Sequence, residues 1–124
     1  MTDPWLLIVD DDPDVAALIA MAATRCGYHT CTAPTFADAL ALLAAADGKP
    51  TAVVLDLYLE DASPTDVCAI MRQHAGPEAF LVAMTADLTI AEASVPDADI
   101  LIHKPFDISS LLQSLTDRLP GNRT

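Results

Sequence analysis

The chain has 124 residues, 52% of them apolar and only 5% aromatic, with a formal net charge of −12. That length supports one domain with a real core rather than two ordinary ones, and the apolar content excludes a disordered chain. The acidic balance argues against direct binding of nucleic acid or an anionic membrane, and it suits a divalent cation, a basic partner, or simply a soluble surface.

The first residues, MTDPW, form no basic leader, and no apolar run approaches the ~18 residues of a membrane span. WLLIV, residues 5–9, is continuously apolar, as in a strand covered on both faces. Asp10, Asp11 and Asp12 follow it directly. Asp12 and Pro13 read as a helix start, with Asp as cap and Pro at the first helical position. Val15, Leu18, Ile19 and Ala22 then recur at helical spacing, and Gly27 is the expected C-terminal cap. Residues 28–33 read as a second strand. Thr35 and Asp38 open a second helix that carries Phe36, Leu40 and Leu43 and ends near Gly48.

TAVVLDL, residues 51–57, is a third buried strand with Asp56 at its tip. Ser63 as cap, Pro64 and Asp66 open a third helix carrying Val67, Ile70, Met71 and His74. Residues 79–85 form a fourth strand ending in Thr85. Between residues 86 and 97, Leu88, Ala91 and Val95 fit one helical face, which Pro96 limits to about two turns. Residues 99–104 form a fifth strand ending in Lys104. Asp107 caps a last helix with Ile108, Leu111, Leu112, Leu115 and Leu119 on one face. The three cysteines are an odd count that fits a reducing compartment. Cys26, His29 and Cys31 lie close together, but a structural zinc site wants four ligands, so buried small hydrophobes are the expectation.

Strand and helix alternating five times, with fully apolar strands, predict a parallel sheet covered on both faces. The predicted fold is therefore α/β: a flavodoxin-like, doubly wound (βα)5 arrangement, order 2-1-3-4-5, with a shortened fourth helix. In such a sheet Asp10, Asp11, Asp12, Asp56, Thr85 and Lys104 all gather at the carboxyl edge. Converging carboxylates call for a hard cation such as Mg2+. A carboxylate beside it can attack a phosphoryl donor, with an ammonium and a hydroxyl stabilising the transferred group.

With LLIVDDDP, AVVLDLYL, VAMTA and HKPF in that order, the sequence resembles the receiver domain of bacterial two-component response regulators over residues 5–119. The resemblance implies a cytoplasmic phosphoacceptor switch. Asp56 would receive the phosphoryl group from a sensor histidine kinase or a histidine phosphotransfer protein. Asp10, Asp11, Asp56 and the backbone carbonyl of Tyr58 would hold Mg2+ or Mn2+, Asp10 mainly through a water. Thr85, Ala86 and Lys104 would surround the phosphoryl group, and the bond before Pro105 would be cis. Tyr58 and Asp87 are candidates for tuning dephosphorylation.

The whole chain would be one receiver domain, with residues 120–124 as a short tail. It would act as a single-domain regulator, like those of chemotaxis, or as a piece of a longer protein. It would not be an enzyme beyond Mg-dependent self-phosphorylation and autodephosphorylation. No direct contact with nucleic acid or membrane is expected, and the output partner is not named by the sequence.

The pattern is departed from at several places. Glu60 and Pro64 stand where the loop after strand 3 carries proline and glycine. Leu101 stands where the family carries the aromatic ring that moves with the threonine. The segment between Thr85 and Lys104 is shorter than usual by about one turn, ~3–4 residues. The expectation is intact chemistry with an atypical output face. Two other functions remain open: a degenerate receiver acting only as a docking module, and a metal-dependent phosphatase. The latter wants an acid/base two residues after the nucleophile, where Tyr58 stands. A nucleotide-binding module would want a glycine-rich loop, and the chain has four glycines in all.

Overall fold

The computed structural model describes residues 3–119; the expected tail at 120–124 lies outside the described residues. The apolar runs form strands β1 (Trp5–Val9), β2 (His29–Ala33), β3 (Ala52–Asp56), β4 (Phe80–Thr85) and β5 (Ile100–His103). They pair in parallel in the order β2-β1-β3-β4-β5. Residues alternate across the sheet, so β1, β3, β4 and β5 each supply two cores, while β2 supplies one. Leu7, Val9, Val53, Leu55 and Leu81 face helices α2 (Phe36–Ala45) and α3 (Val67–Ala75). Leu6, Ile8, Val54, Val82 and Met84 face α1 (Pro13–Cys26) and α4 (Ile108–Thr116).

The helix starts follow local chemistry. Asp12 accepts from the amides of Asp14 (2.9 Å) and Val15 (3.4 Å), with Pro13 at the first helical position. Thr35 accepts from the Asp38 amide at 3.1 Å, and Asp107 from the Ser109 amide at 3.0 Å. Gly27 ends α1 in the left-handed region, at φ 115°, where its amide reaches the last turn. Helix α3 departs from expectation. Ser63 does not cap it through its hydroxyl, which pairs with Thr65 instead. The Ser63 carbonyl accepts from the amides of Asp66 and Val67, winding a preliminary turn before regular helix begins at Val67. Helix α2 ends at Ala45, short of Gly48.

Packing rotated one predicted face and left another without its helix. Helix α1 buries Ala16, Ile19 and Ala23, while Leu18 is 51% exposed. Small alanines let the helix lie close to the sheet, which turns Leu18 outward. There it lines a groove with Val15, Ala86, Lys104 and Pro105. Between β4 and β5 the fourth of the five expected helices is a single 3-10 turn, Glu92–Ser94. Val95 alone from its predicted face is buried, and Leu88 is 81% exposed. The connection is too short, and Pro96 too close, for a helix to reach back over the sheet.

The cysteines also divide. Cys68 is buried, and burial pushes its thiol up to about 11, whereas Cys26 and Cys31 are only half-buried. His29 is exposed and lies 3.4 Å from Asp3. These residues form no three-ligand cluster among the described residues.

Candidate functional site

Register brings the acidic residues together. Val9 pairs with Leu55, so Asp10 and Asp56 leave adjacent strands side by side at the carboxyl edge. Asp56 pairs with Met84, which places Thr85 one residue further along β4, opposite His103 of β5. Lys104 follows, and its amide donates to the Thr85 carbonyl at 2.7 Å. Carboxylate oxygens of Asp10, Asp11 and Asp56 lie within 4.8 Å of one another. Lys104 Nζ, 94 residues from Asp10 in sequence, donates to Asp10 Oδ2 at 3.0 Å and Asp56 Oδ2 at 3.3 Å. The bond between Lys104 and Pro105 is cis.

The three carboxylates are not equivalent. Asp10 is buried; its Oδ1 accepts from the Asp12 amide at 2.9 Å, and its Oδ2 is engaged by Lys104. Asp56 is buried; its Oδ1 accepts from the Tyr58 amide at 3.1 Å. Asp11 is exposed and makes no hydrogen bond or ion pair among the described residues. Asp12 belongs to the helix cap, so the run of three aspartates is a pair and a cap.

Burial raises the Asp56 carboxyl above its ordinary value; the Tyr58 amide and the Lys104 ammonium oppose this only in part. Burial works against the charge on Lys104, but its bond to Asp10 and the charges of Asp56 and Asp10 outweigh it, and the ammonium is held above its ordinary value. The donor set is all oxygen, compact and open to one side through Asp11, which fits a hard divalent cation.

The other expected residues lie along or near the same edge of the sheet, except Leu101. Thr85 is fully buried, and its Oγ1 accepts from the Asp87 amide at 3.0 Å. Ala86 lines the neighbouring groove with Lys104. Tyr58 is 46% exposed, and its hydroxyl donates to Asp87 Oδ2 at 2.5 Å. Asp87 Oδ1 accepts from the Thr89 amide and hydroxyl. These bonds hold the Asp87 carboxyl down at about 2, chiefly the Thr89 hydroxyl and then Tyr58, while the same contact raises the Tyr58 phenol. Leu101, in β5, is half-buried against the α2–α3 core.

Two supporting residues were not visible in the sequence. Asp61, in the loop after β3, accepts from the amides of Phe36 and Ala37 at 2.9 Å each, capping α2 from 24 or more residues away. Arg72 of α3 donates to the carbonyls of Ala79 (2.6 Å) and Asp97 (2.8 Å) and to Asp99 Oδ2 (3.1 Å). No local pattern announces either, because their partners are brought to them only by the fold.

Residues 6–116 match the family model described as response regulator receiver domain. The DNA-binding response regulator MtrA of Mycolicibacterium smegmatis is 30% identical over 118 residues, covering 94% of this chain and 51% of that protein. The transcriptional regulatory protein KdpE of Mycobacterium tuberculosis is 35% identical over 111 residues, covering 89% and 48%. The chain thus spans about half the length of these curated relatives. A response regulator crystal structure from Burkholderia pseudomallei, with a phosphorylated aspartic acid, calcium ion and citrate, is similar at a TM-score of 0.78 and 28% identity, covering 91% of this chain and 66% of that one. TrrA from Thermotoga maritima in complex with Mg2+-BeF shares the fold at a TM-score of 0.78 and 24% identity, covering 94% and 99%.

Proposed function

The chain belongs to the response regulator receiver domain family, and on that premise we propose that it is a phosphoacceptor switch in which Asp56 is the acceptor. The observation that carries the reading is the cluster of Asp10, Asp11 and Asp56 carboxylates with Lys104 Nζ bonded to both Asp10 and Asp56. The donor is a histidine kinase or a histidine phosphotransfer protein. Asp56 attacks phosphorus, the bond from phosphorus to the donor imidazole nitrogen breaks, and the imidazole leaves with that electron pair.

Lys104 moves its ammonium from the Asp56 carboxylate to the incoming phosphoryl oxygens, and the Thr85 hydroxyl and the Ala86 amide provide further donors. A divalent cation, Mg2+ or Mn2+, supplies positive charge against those oxygens when bound. Asp11, Asp56 and the Tyr58 carbonyl would hold it directly. Asp10 would act through water, which fits its two oxygens being engaged by Asp12 and Lys104. Among the described residues no helix is long and apolar enough to cross a membrane, and a cytoplasmic place beside its kinase is part of the proposal.

The test is incubation with Mg2+ and acetyl phosphate, followed by intact mass. One added phosphoryl group is expected, absent in Asp56→Asn and without Mg2+. No adduct at any Mg2+ concentration would overturn the reading in favour of a docking module.

A further inference from the structure

At the carboxyl edge that carries Asp56 and Thr85, the loops after β3 and β4 are joined by one side-chain bond, from the Tyr58 hydroxyl to Asp87 Oδ2. Asp87 is also bonded to the switch threonine, since its amide donates to Thr85 Oγ1 at 3.0 Å. Its other oxygen gathers Thr89 (amide 2.9 Å, hydroxyl 2.6 Å), and the far end of the same loop is pinned where His103 Nε2 lies 3.1 Å from the Ile90 carbonyl. Thr85, Asp87 and Tyr58 therefore form one continuous chain of hydrogen bonds. Leu101 offers Thr85 no polar partner, and no α-helix covers the segment between β4 and β5.

The Tyr58 backbone cannot follow a movement of Asp87 freely, because its amide is held by Asp56 Oδ1 at 3.1 Å. If Thr85 Oγ1 moves into the pocket, the Asp87 amide loses its acceptor unless the turn moves too, and a moving turn breaks the bond to Tyr58. We propose that the Tyr58–Asp87 bond is a latch that holds Thr85 back from the pocket before phosphorylation and opens when Thr85 turns toward a phosphoryl group. Opening frees the Tyr58 ring at the loop between β3 and α3. That loop is tied to α2 through Asp61, so the signal is read there rather than at the edge of β5. The inference rests on Asp56 being the phosphoacceptor.

The experiment titrates Mg2+ and beryllofluoride into wild type, Tyr58→Phe, Asp87→Ala and the double variant, with amide shifts followed by NMR. Tyr58→Phe removes one exposed, charge-assisted bond, so beryllofluoride should bind about three- to tenfold tighter. Its Mg2+-only spectrum should show the amides of Thr85 and Asp87 displaced toward their beryllofluoride-bound positions. In the Asp87→Ala background the same change should add nothing, because the latch is already gone. Wild-type affinity and wild-type shifts in Tyr58→Phe overturn the latch alone. So does an effect of Tyr58→Phe that persists undiminished without Asp87. Wild type that takes up no beryllofluoride overturns the phosphoacceptor reading and the latch together.

Discussion

Asp56 is held above the usual carboxylate value of 3.8 because burial strips water from its charged form faster than Tyr58 and Lys104 replace it. Such a group is protonated more readily in the fold than in the unfolded chain, so the fold loses stability as pH rises from 3.8 through the raised value. Asp87 has the opposite sign. The bonds it accepts hold it near 2, so its contribution is present above 3.8 and is lost as pH falls toward 2. Asp61, lowered by the Ala37 and Phe36 amides, acts in the same direction as Asp87. In metal-free buffer the melting midpoint should therefore peak in mild acid and fall on both sides. Asp56→Asn should flatten the neutral side and leave the acid limb in place, as thermal melts across pH 2–8 would show.

Among the elements, the connection between β4 and β5 departs most from the alternating plan. It has a 3-10 turn where a helix was expected, and it closes the α2–α3 core with Val95, Ile90 and Ala98. Arg72 compensates from α3. Its guanidinium reaches the carbonyls of Ala79 and Asp97 and the Asp99 carboxylate, which in turn accepts the Leu81 amide at 2.8 Å. One side chain thus fastens α3, the start of β4 and the approach to β5. Hydrogen bonds to a charged group contribute about 1.5–3 kcal/mol, and Arg72→Ala should destabilise by that order in urea melts. Arg72→Lys should restore little of it, since an ammonium lacks the planar fork that spans these acceptors.

For the whole molecule, the sheet brings Asp10, Asp11 and Asp56 together in a chain whose net charge is already −12. Lys104 neutralises part of that cluster, and a divalent cation would neutralise the rest. Mg2+ should therefore stabilise the fold, by roughly 1.4 kcal/mol at tenfold over its dissociation constant. Differential scanning calorimetry should show an upward shift in Tm that saturates with Mg2+ and is lost in Asp11→Asn. An unchanged midpoint would count against a cation site.

The alternating plan, the strand order and the convergence of Asp10, Asp11, Asp56, Thr85 and Lys104 were legible in the sequence. Apolar runs ending in charge, and caps such as Asp12–Pro13, are local patterns that physical chemistry dictates residue by residue. Which face of α1 turned inward, and whether residues 86–97 could wind a helix, were settled by packing: small alanines drew α1 onto the sheet, and a short span with Pro96 left only one turn. The cap from Asp61, the fastening by Arg72 and the bond from Tyr58 to Asp87 were decided only by the tertiary structure. Apart from the bond from Arg72 to Ala79, seven residues on, each joins residues 24 to 29 positions apart, and no period or motif within one segment records a partner that the fold must first bring near.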